Sequence, residues 1–136
     1  DLADIERAQT VVADIGALDI GQGAVVCNQL VLAVEAVEGT DEMLKRCAAI
    51  TTDLRGTSEA RRGVLLKMPK PGQERRVDLP TIGVQTIQRA ADAGLAGVAV
   101  AAGGALVLDQ AHVIELADQL GVFVIGVAPS HDADTG

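Results

Sequence analysis

"GVLLKMPKPGQERRVDLPTIGVQTIQRAADAGLAGVAV", residues 63–100, decides the fold. "GVLLK" is a short apolar run and predicts a buried strand ending at Lys67. The strand cannot simply continue, because Pro69, Pro71 and Pro80 have no backbone N–H to give to a ladder. Residues 67–83 are therefore expected as a loop at the C-terminal end of that strand, where α/β sheets place their ligands. "VQTIQRAADAG" then reads as a helix closed by Gly94. "LAGVAV" opens the next apolar run.

The same alternation extends outward. Upstream, Leu2, Ile5, Ala8, Val12 and Ile15 fall at helical spacing and predict an amphipathic helix over residues 1–18. "GAVVCNQLVLAVE" (23–35) reads as a hairpin turning at Asn28-Gln29. "GTDEMLKRCAAI" (39–50) reads as a helix with Thr40 as N-cap, and Asp41 and Glu42 favour the positive end of its dipole. Residues 51–62 are polar and expected as a surface loop. Downstream, "LAGVAVAAGGALVL" (95–108) reads as strand, Gly-Gly turn and strand. "DQAHVIELADQLG" (109–121) reads as a helix between Asp109 and Gly121. "VFVIGV" reads as a last buried strand, and the polar tail 128–136 is expected to fray. The predicted fold class is α/β: a single domain with a mixed sheet covered by helices.

Composition removes several function classes. Nineteen acidic against eleven basic residues give a net charge of −8. Binding along a polyanion draws its affinity from Lys and Arg on phosphates, so this surface is expected to repel DNA, RNA and anionic bilayers at long range. Phe123 is the one aromatic residue, which leaves no stacking platform for single-stranded nucleic acid. No nucleic-acid partner is expected. Cys27 and Cys47 lack a CxxC spacing and are expected as buried thiols. No apolar run reaches the roughly 18 residues a membrane span needs, and no signal peptide opens the chain, so a cytoplasmic, non-transmembrane protein is expected.

Charge is concentrated where the prolines are. Six of the eleven basic residues fall between Arg61 and Arg76. Such a patch suits a compact anion, since Lys and Arg clamp phosphoryl oxygens, and proline lowers the entropy of holding the loop in place. A solvated charge run is the plainer alternative. Asp78, beside Arg76, is a candidate for holding Mg²⁺ or orienting water, or for capping a turn. At "EGTDEM", Glu38, Thr40 and Asp41 sit at a helix start, which suits an anion, a metal, or plain capping. His112 and His131 have no triad-like partners and are not catalytic candidates.

Three segments carry a resemblance: "VEGTD" (37–41), "KxPKPGQxxRxDLPTIG" (67–83) and "AGGxLxLD" (102–109), in that order and spacing. Over residues 1–127 the chain resembles the C-terminal domain of the UDP-2,3-diacylglucosamine pyrophosphatases of lipid A biosynthesis, the type unrelated to calcineurin-like phosphoesterases. The resemblance implies a cytoplasmic, Mg²⁺-dependent hydrolase of Gram-negative bacteria that splits UDP-2,3-diacylglucosamine into UMP and 2,3-diacylglucosamine 1-phosphate. It further implies two domains with the substrate between them, residues 1–136 being the C-terminal, catalytic-side one and the N-terminal one absent from this chain. Asp78 is implied as the catalytic and metal-binding residue, with Thr40, Lys67, Lys70 and Arg76 as substrate-binding residues. Inactivity of the isolated domain, peripheral membrane contact and homo-oligomerisation are left open. The alternative function is a non-catalytic module for a phosphorylated ligand, and a third reading is a structural domain. The small-residue stretch 95–107 is a candidate lining for an acyl channel.

Overall fold

The computed structural model describes residues 1–69, 81–101, 106–107 and 109–128. Among these residues, four helices and seven strands run in the order α1 (Leu2–Ala17), β1 (Gly23–Cys27), β2 (Leu30–Val34), α2 (Thr40–Ala48), β3 (Val64–Lys67), β4 (Thr81–Ile82), α3 (Val84–Asp92), β5 (Gly97–Ala101), β6 (Leu106–Val107), α4 (Gln110–Leu120) and β7 (Phe123–Val127). The main sheet has the order β2-β1-β3-β5-β7. β1 is antiparallel to both β2 and β3, whereas β3, β5 and β7 are parallel. This is a mixed sheet in a single α/β domain, as the alternation of runs predicts.

The central strands are buried on both faces, which explains their continuous apolar character. Period-two alternation sorts them. Val25, Leu65, Val98 and Val100 pack with Met43, Leu44 and Cys47 of α2, Ile87 and Ala90 of α3, and Val113 of α4. Ala24, Val26, Val64, Leu66 and Ala99 pack on the other face against Ile5, Ala8 and Val12 of α1. Each of the larger side chains contributes about 1.5–3 kcal/mol by leaving water, so an aliphatic interior suffices without aromatics. Lys67 follows Leu65 by two positions, and so points to the face covered by α2 to α4.

The hairpin forms as predicted. Asn28 and Gln29 both take positive φ, 52° and 64°, the pattern of a two-residue turn matched to strand twist. Buried Asp4 of α1 secures it, its carboxylate accepting the N–H groups of Asn28 (3.2 Å) and Gln29 (2.6 Å). Cys27 and Cys47 are free and buried, and burial raises both thiols, Cys47 to about 11. Residues 51–62 lie between elements, as expected of a loop.

Several expectations are corrected. The two strands expected to pair as a hairpin within 95–108 do not pair: β5 has β3 and β7 on its two sides, and β6 instead pairs in parallel with β4 in a separate two-stranded sheet. β5 is an interior strand of the main sheet between β3 and β7, with Val98 and Ala99 fully buried, so residues 97–101 line no acyl channel. β7 is an edge strand rather than a buried one, and Ile125 is 38% exposed. The expected loop over 67–83 is bounded by structure at both ends, since Lys67 closes β3 and Thr81–Ile82 form β4. Residues 70–80 and the tail from 129 lie outside the described residues.

Candidate active site

A cleft of about 630 Å³ opens beyond the C-terminal end of β3. Three helices turn their N-terminal ends to it, contributing Gly39 and Thr40 at α2, Gly83 and Thr86 at α3, and Asp109 at α4. No N-cap side chain of these three helices accepts a backbone N–H of the first turn. Two of the N-caps are glycine, which has no side chain to offer. The first-turn N–H groups of α2 and α3 therefore have no intrahelical acceptor and no cap, the condition under which a helix start serves an anion.

The α2 start corrects one expectation. Thr40 is the first helical residue, and the N-cap is Gly39 at φ 89°, ψ 173°. That conformation is essentially restricted to glycine. A Cβ on Gly39 would meet nothing within 4 Å, so only backbone strain opposes a side chain there. Gly39→Ala is expected to lower stability by about 1–3 kcal/mol and to weaken ligand binding by tilting the α2 start. Thermal unfolding and ligand titration check it, and an unchanged melting temperature excludes the strain.

Lys67 is the cation at the floor of the cleft. It is only 6% exposed, and its Nζ donates to the Thr81 carbonyl at 2.9 Å. Burial holds its ammonium below the ordinary lysine value, and the nearby carboxylates of Glu35 and Asp41 oppose that fall. Thr40, also at the cleft, donates its hydroxyl to Glu35 Oε2. The predicted pair Thr40 and Lys67 thus faces one cleft. Asp78, Lys70 and Arg76 lie outside the described residues.

Nothing in the sequence singles out Glu35, because a lone carboxylate just after an apolar strand reads as the start of a solvated turn. It is 8% exposed and accepts the Gln22 N–H at 3.0 Å. Glu38 instead holds Arg46, through Nε–Oε2 at 3.0 Å and a second contact at 2.5 Å. Asp109 is the N-cap of α4, takes φ 55° and pairs its side chain with His112 at 2.7 Å, which raises the imidazole pKa.

The basic run of the sequence is divided by β3. Arg61 and Arg62 precede that strand and Lys67 ends it, so the four intervening positions hold them roughly 13 Å or more apart. Arg61 donates to the Ala91 carbonyl at 2.9 Å, at the C-terminal end of α3, and Arg62 to the Arg55 carbonyl at 2.6 Å. These arginines bind backbone and are not at the cleft.

Charge bookkeeping shows what the described part lacks. Three helix ends supply roughly half a positive unit each, and Lys67 adds one. Glu35 and Asp41 cancel most of this, and Glu38 is neutralised by Arg46. The described site therefore offers directed donors at near-zero net charge. Nor does it fit a metal ion: among the described residues no three His, Cys, Asp or Glu side chains are grouped to hold one, and Glu35, Glu38 and Asp109 are engaged by protein partners. Among the described residues, no helix is long and apolar enough to cross a membrane.

Comparison with known proteins decides the lineage. The family model described as the LpxI C-terminal domain matches residues 1–125. The chain belongs to that family. Within the LpxI C-terminal domain family, a curated relative named UDP-2,3-diacylglucosamine pyrophosphatase LpxI, from Caulobacter vibrioides (strain ATCC 19089 / CIP 103742 / CB 15), is 62% identical over 128 residues. That match covers 94% of this chain and 46% of the relative, so the chain spans about half the relative's length. Among solved structures, the apo dCMP deaminase of the cyanophage S-TIM5 superposes with a TM-score of 0.51 at 16% identity, covering 90% of this chain and 95% of that one. That likeness concerns the fold alone.

Proposed function

We propose that this chain carries the pyrophosphate-binding, catalytic-side part of a UDP-2,3-diacylglucosamine pyrophosphatase, which hydrolyses its substrate to UMP and 2,3-diacylglucosamine 1-phosphate. The observation that carries the reading is Lys67, a buried ammonium at the floor of a cleft bordered by three helix starts without side-chain caps. Pyrophosphate is a compact anion with several acceptor oxygens. The first-turn N–H groups and Lys67 are suited to orient those oxygens and to stabilise charge as it develops on them.

Further cations are needed, because the described site is nearly neutral. Lys70 and Arg76 are assigned that part. Asp78 is assigned the catalytic role and the Mg²⁺, whose positive charge would make the phosphorus more open to attack by water. Chain length alone supports the placement, since position 78 lies within about 11 Å of Thr81, a residue at the cleft. No step is derived through the metal, as the described residues do not form its site. We further place the enzyme in the cytoplasm of a Gram-negative bacterium, and assign it an N-terminal domain that closes over the substrate, without which residues 1–136 are inactive.

The test is product analysis with UDP-2,3-diacylglucosamine, comparing the full-length protein with residues 1–136. The full-length protein is expected to release UMP in Mg²⁺ and to stop in chelator, and the shorter chain to release none. Release of UDP, or tight binding without hydrolysis, overturns the assignment, the latter in favour of a non-catalytic phosphate-binding module.

A further inference from the structure

We propose that Glu35 is a positioning residue of this cleft, orienting the Thr40 hydroxyl and offsetting the buried charge of Lys67; this rests on reading the cleft as the pyrophosphate site. Glu35 follows β2 and is 8% exposed. A buried carboxylate is unfavourable unless it is hydrogen-bonded or faces a cation. Both of its oxygens are used: Oε1 accepts the Gln22 N–H at 3.0 Å, and Oε2 accepts the Thr40 hydroxyl. Its own N–H donates to the Gly23 carbonyl at 2.8 Å.

The surroundings are fitted to this residue. A Cβ on Gly21 would lie 2.0 Å from the Glu35 carbonyl oxygen, so the 21–23 segment approaches Glu35 as closely as glycine permits. The tie to residues 21–23 needs one acceptor for the Gln22 N–H, which a glutamine carbonyl also supplies, its amide NH2 then turning to the Thr40 hydroxyl. What a carboxylate adds is charge, and the buried cation sharing its cleft is Lys67.

Among the described residues, the charges around Lys67 are few. Glu35 faces it from the end of β2 and Asp41 from α2, and both favour the ammonium against burial. Glu38 and Asp109 also border the cleft, but Arg46 and His112 hold them. Among the described residues, β1, β5 and α3 bring no charged side chain to the cleft. Among the described residues, removing the charge of Glu35 thus leaves Asp41 as the main opposition to burial, and Lys67 is expected to release its proton at lower pH. Thr40 is affected separately, because its hydroxyl loses a charged acceptor and is free to rotate away from a ligand.

The experiment is Glu35→Gln in the full-length protein. It is read by the pH profile of kcat/KM on UDP-2,3-diacylglucosamine and by NMR titration of ¹³C-labelled lysine. The Lys67 titration and the alkaline limb of the profile are both expected about one pH unit lower than in the unsubstituted protein. On that limb kcat/KM then falls about tenfold, and Glu35→Asp restores most of it. An unmoved Lys67 titration in a normally folded Glu35→Gln protein overturns the proposal and leaves Glu35 as a tie for residues 21–23. If Glu35→Gln does not fold, the double variant with Lys67→Met is expected to fold, because neither unbalanced charge remains. Failure of the double variant overturns the proposal too. A Lys67 titration that moves as expected while no pH profile follows it supports the role of Glu35 and counts against the pyrophosphate reading instead.

Discussion

Asp78→Ala in the full-length protein is expected to lower turnover by about 10²–10³ while substrate is still retained. The cleft has directed donors but almost no net positive charge, and its described carboxylates do not form a metal site. On the proposed function, the group that brings a metal or orients water is sought outside the described carboxylates, and Asp78 stands among the cations Lys70, Arg75 and Arg76. A residue acting mainly in the transition state changes kcat more than binding. Removing a metal ligand has a second signature: the Mg²⁺ concentration needed for half-maximal rate rises, or added Mg²⁺ no longer stimulates at all. Turnover and substrate retention are to be measured side by side across a Mg²⁺ titration. Near-normal turnover of Asp78→Ala in saturating Mg²⁺ reduces Asp78 to a turn cap, and the catalytic assignment falls with it.

The sequence shows those parts of the architecture that are specified locally. Helix α1 is legible because Ile5, Ala8 and Val12 repeat at helical spacing on a single face, and that face meets the sheet. The β1–β2 hairpin is legible because its turn lies within the stretch that pairs. The Gly-Gly at 103–104 carries the same local signal and misleads, because the partners of β5 come from β3 and β7, far away in sequence. Two apolar runs around glycines do not reveal whether they pair with each other.

The site follows the same division. Lys67 and Thr40 are legible because their motifs are contiguous and each ends or begins an element. In the sequence Arg61 and Arg62 read as one patch with Lys67, and only the extended β3 between them shows that they serve opposite ends of a strand. Glu35 is invisible in the sequence for a related reason. Its burial depends on Gln22 and Gly21 folding back against it and on Thr40 following it, none of which alters the local polar pattern.

Lys67→Met separates a functional lysine from a structural one. The structural case rests on its bond to the Thr81 carbonyl, a contact of a kind contributing about 1.5–3 kcal/mol when one partner is charged. Against it stands the cost of burying the ammonium of a residue only 6% exposed, and such desolvation amounts to several kcal/mol per ion. Methionine fills nearly the same space without the charge, though it leaves Glu35 and Asp41 less compensated. The terms come close to cancelling, so Lys67→Met is expected to fold with stability unchanged or slightly raised. The pH dependence gives an independent check. Burial depresses the Lys67 pKa in the folded state below the ordinary 10.5, so the unfolded chain holds this proton more tightly. Stability of the unsubstituted protein therefore gains a contribution as pH climbs from the depressed value toward 10.5, a contribution lost again as pH falls. Lys67→Met lacks that gain. Ligand affinity runs the other way, since only the ammonium binds phosphate, and it is lost as pH rises through the depressed value. At neutral pH the variant is expected to bind UDP-2,3-diacylglucosamine about ten- to a hundredfold more weakly, the equivalent of one charge-assisted hydrogen bond. Chemical unfolding and substrate titration on the same sample read both quantities. A loss of more than about 2 kcal/mol of stability together with unchanged affinity makes Lys67 a tie between β3 and β4, and the pyrophosphate site would have to be sought elsewhere.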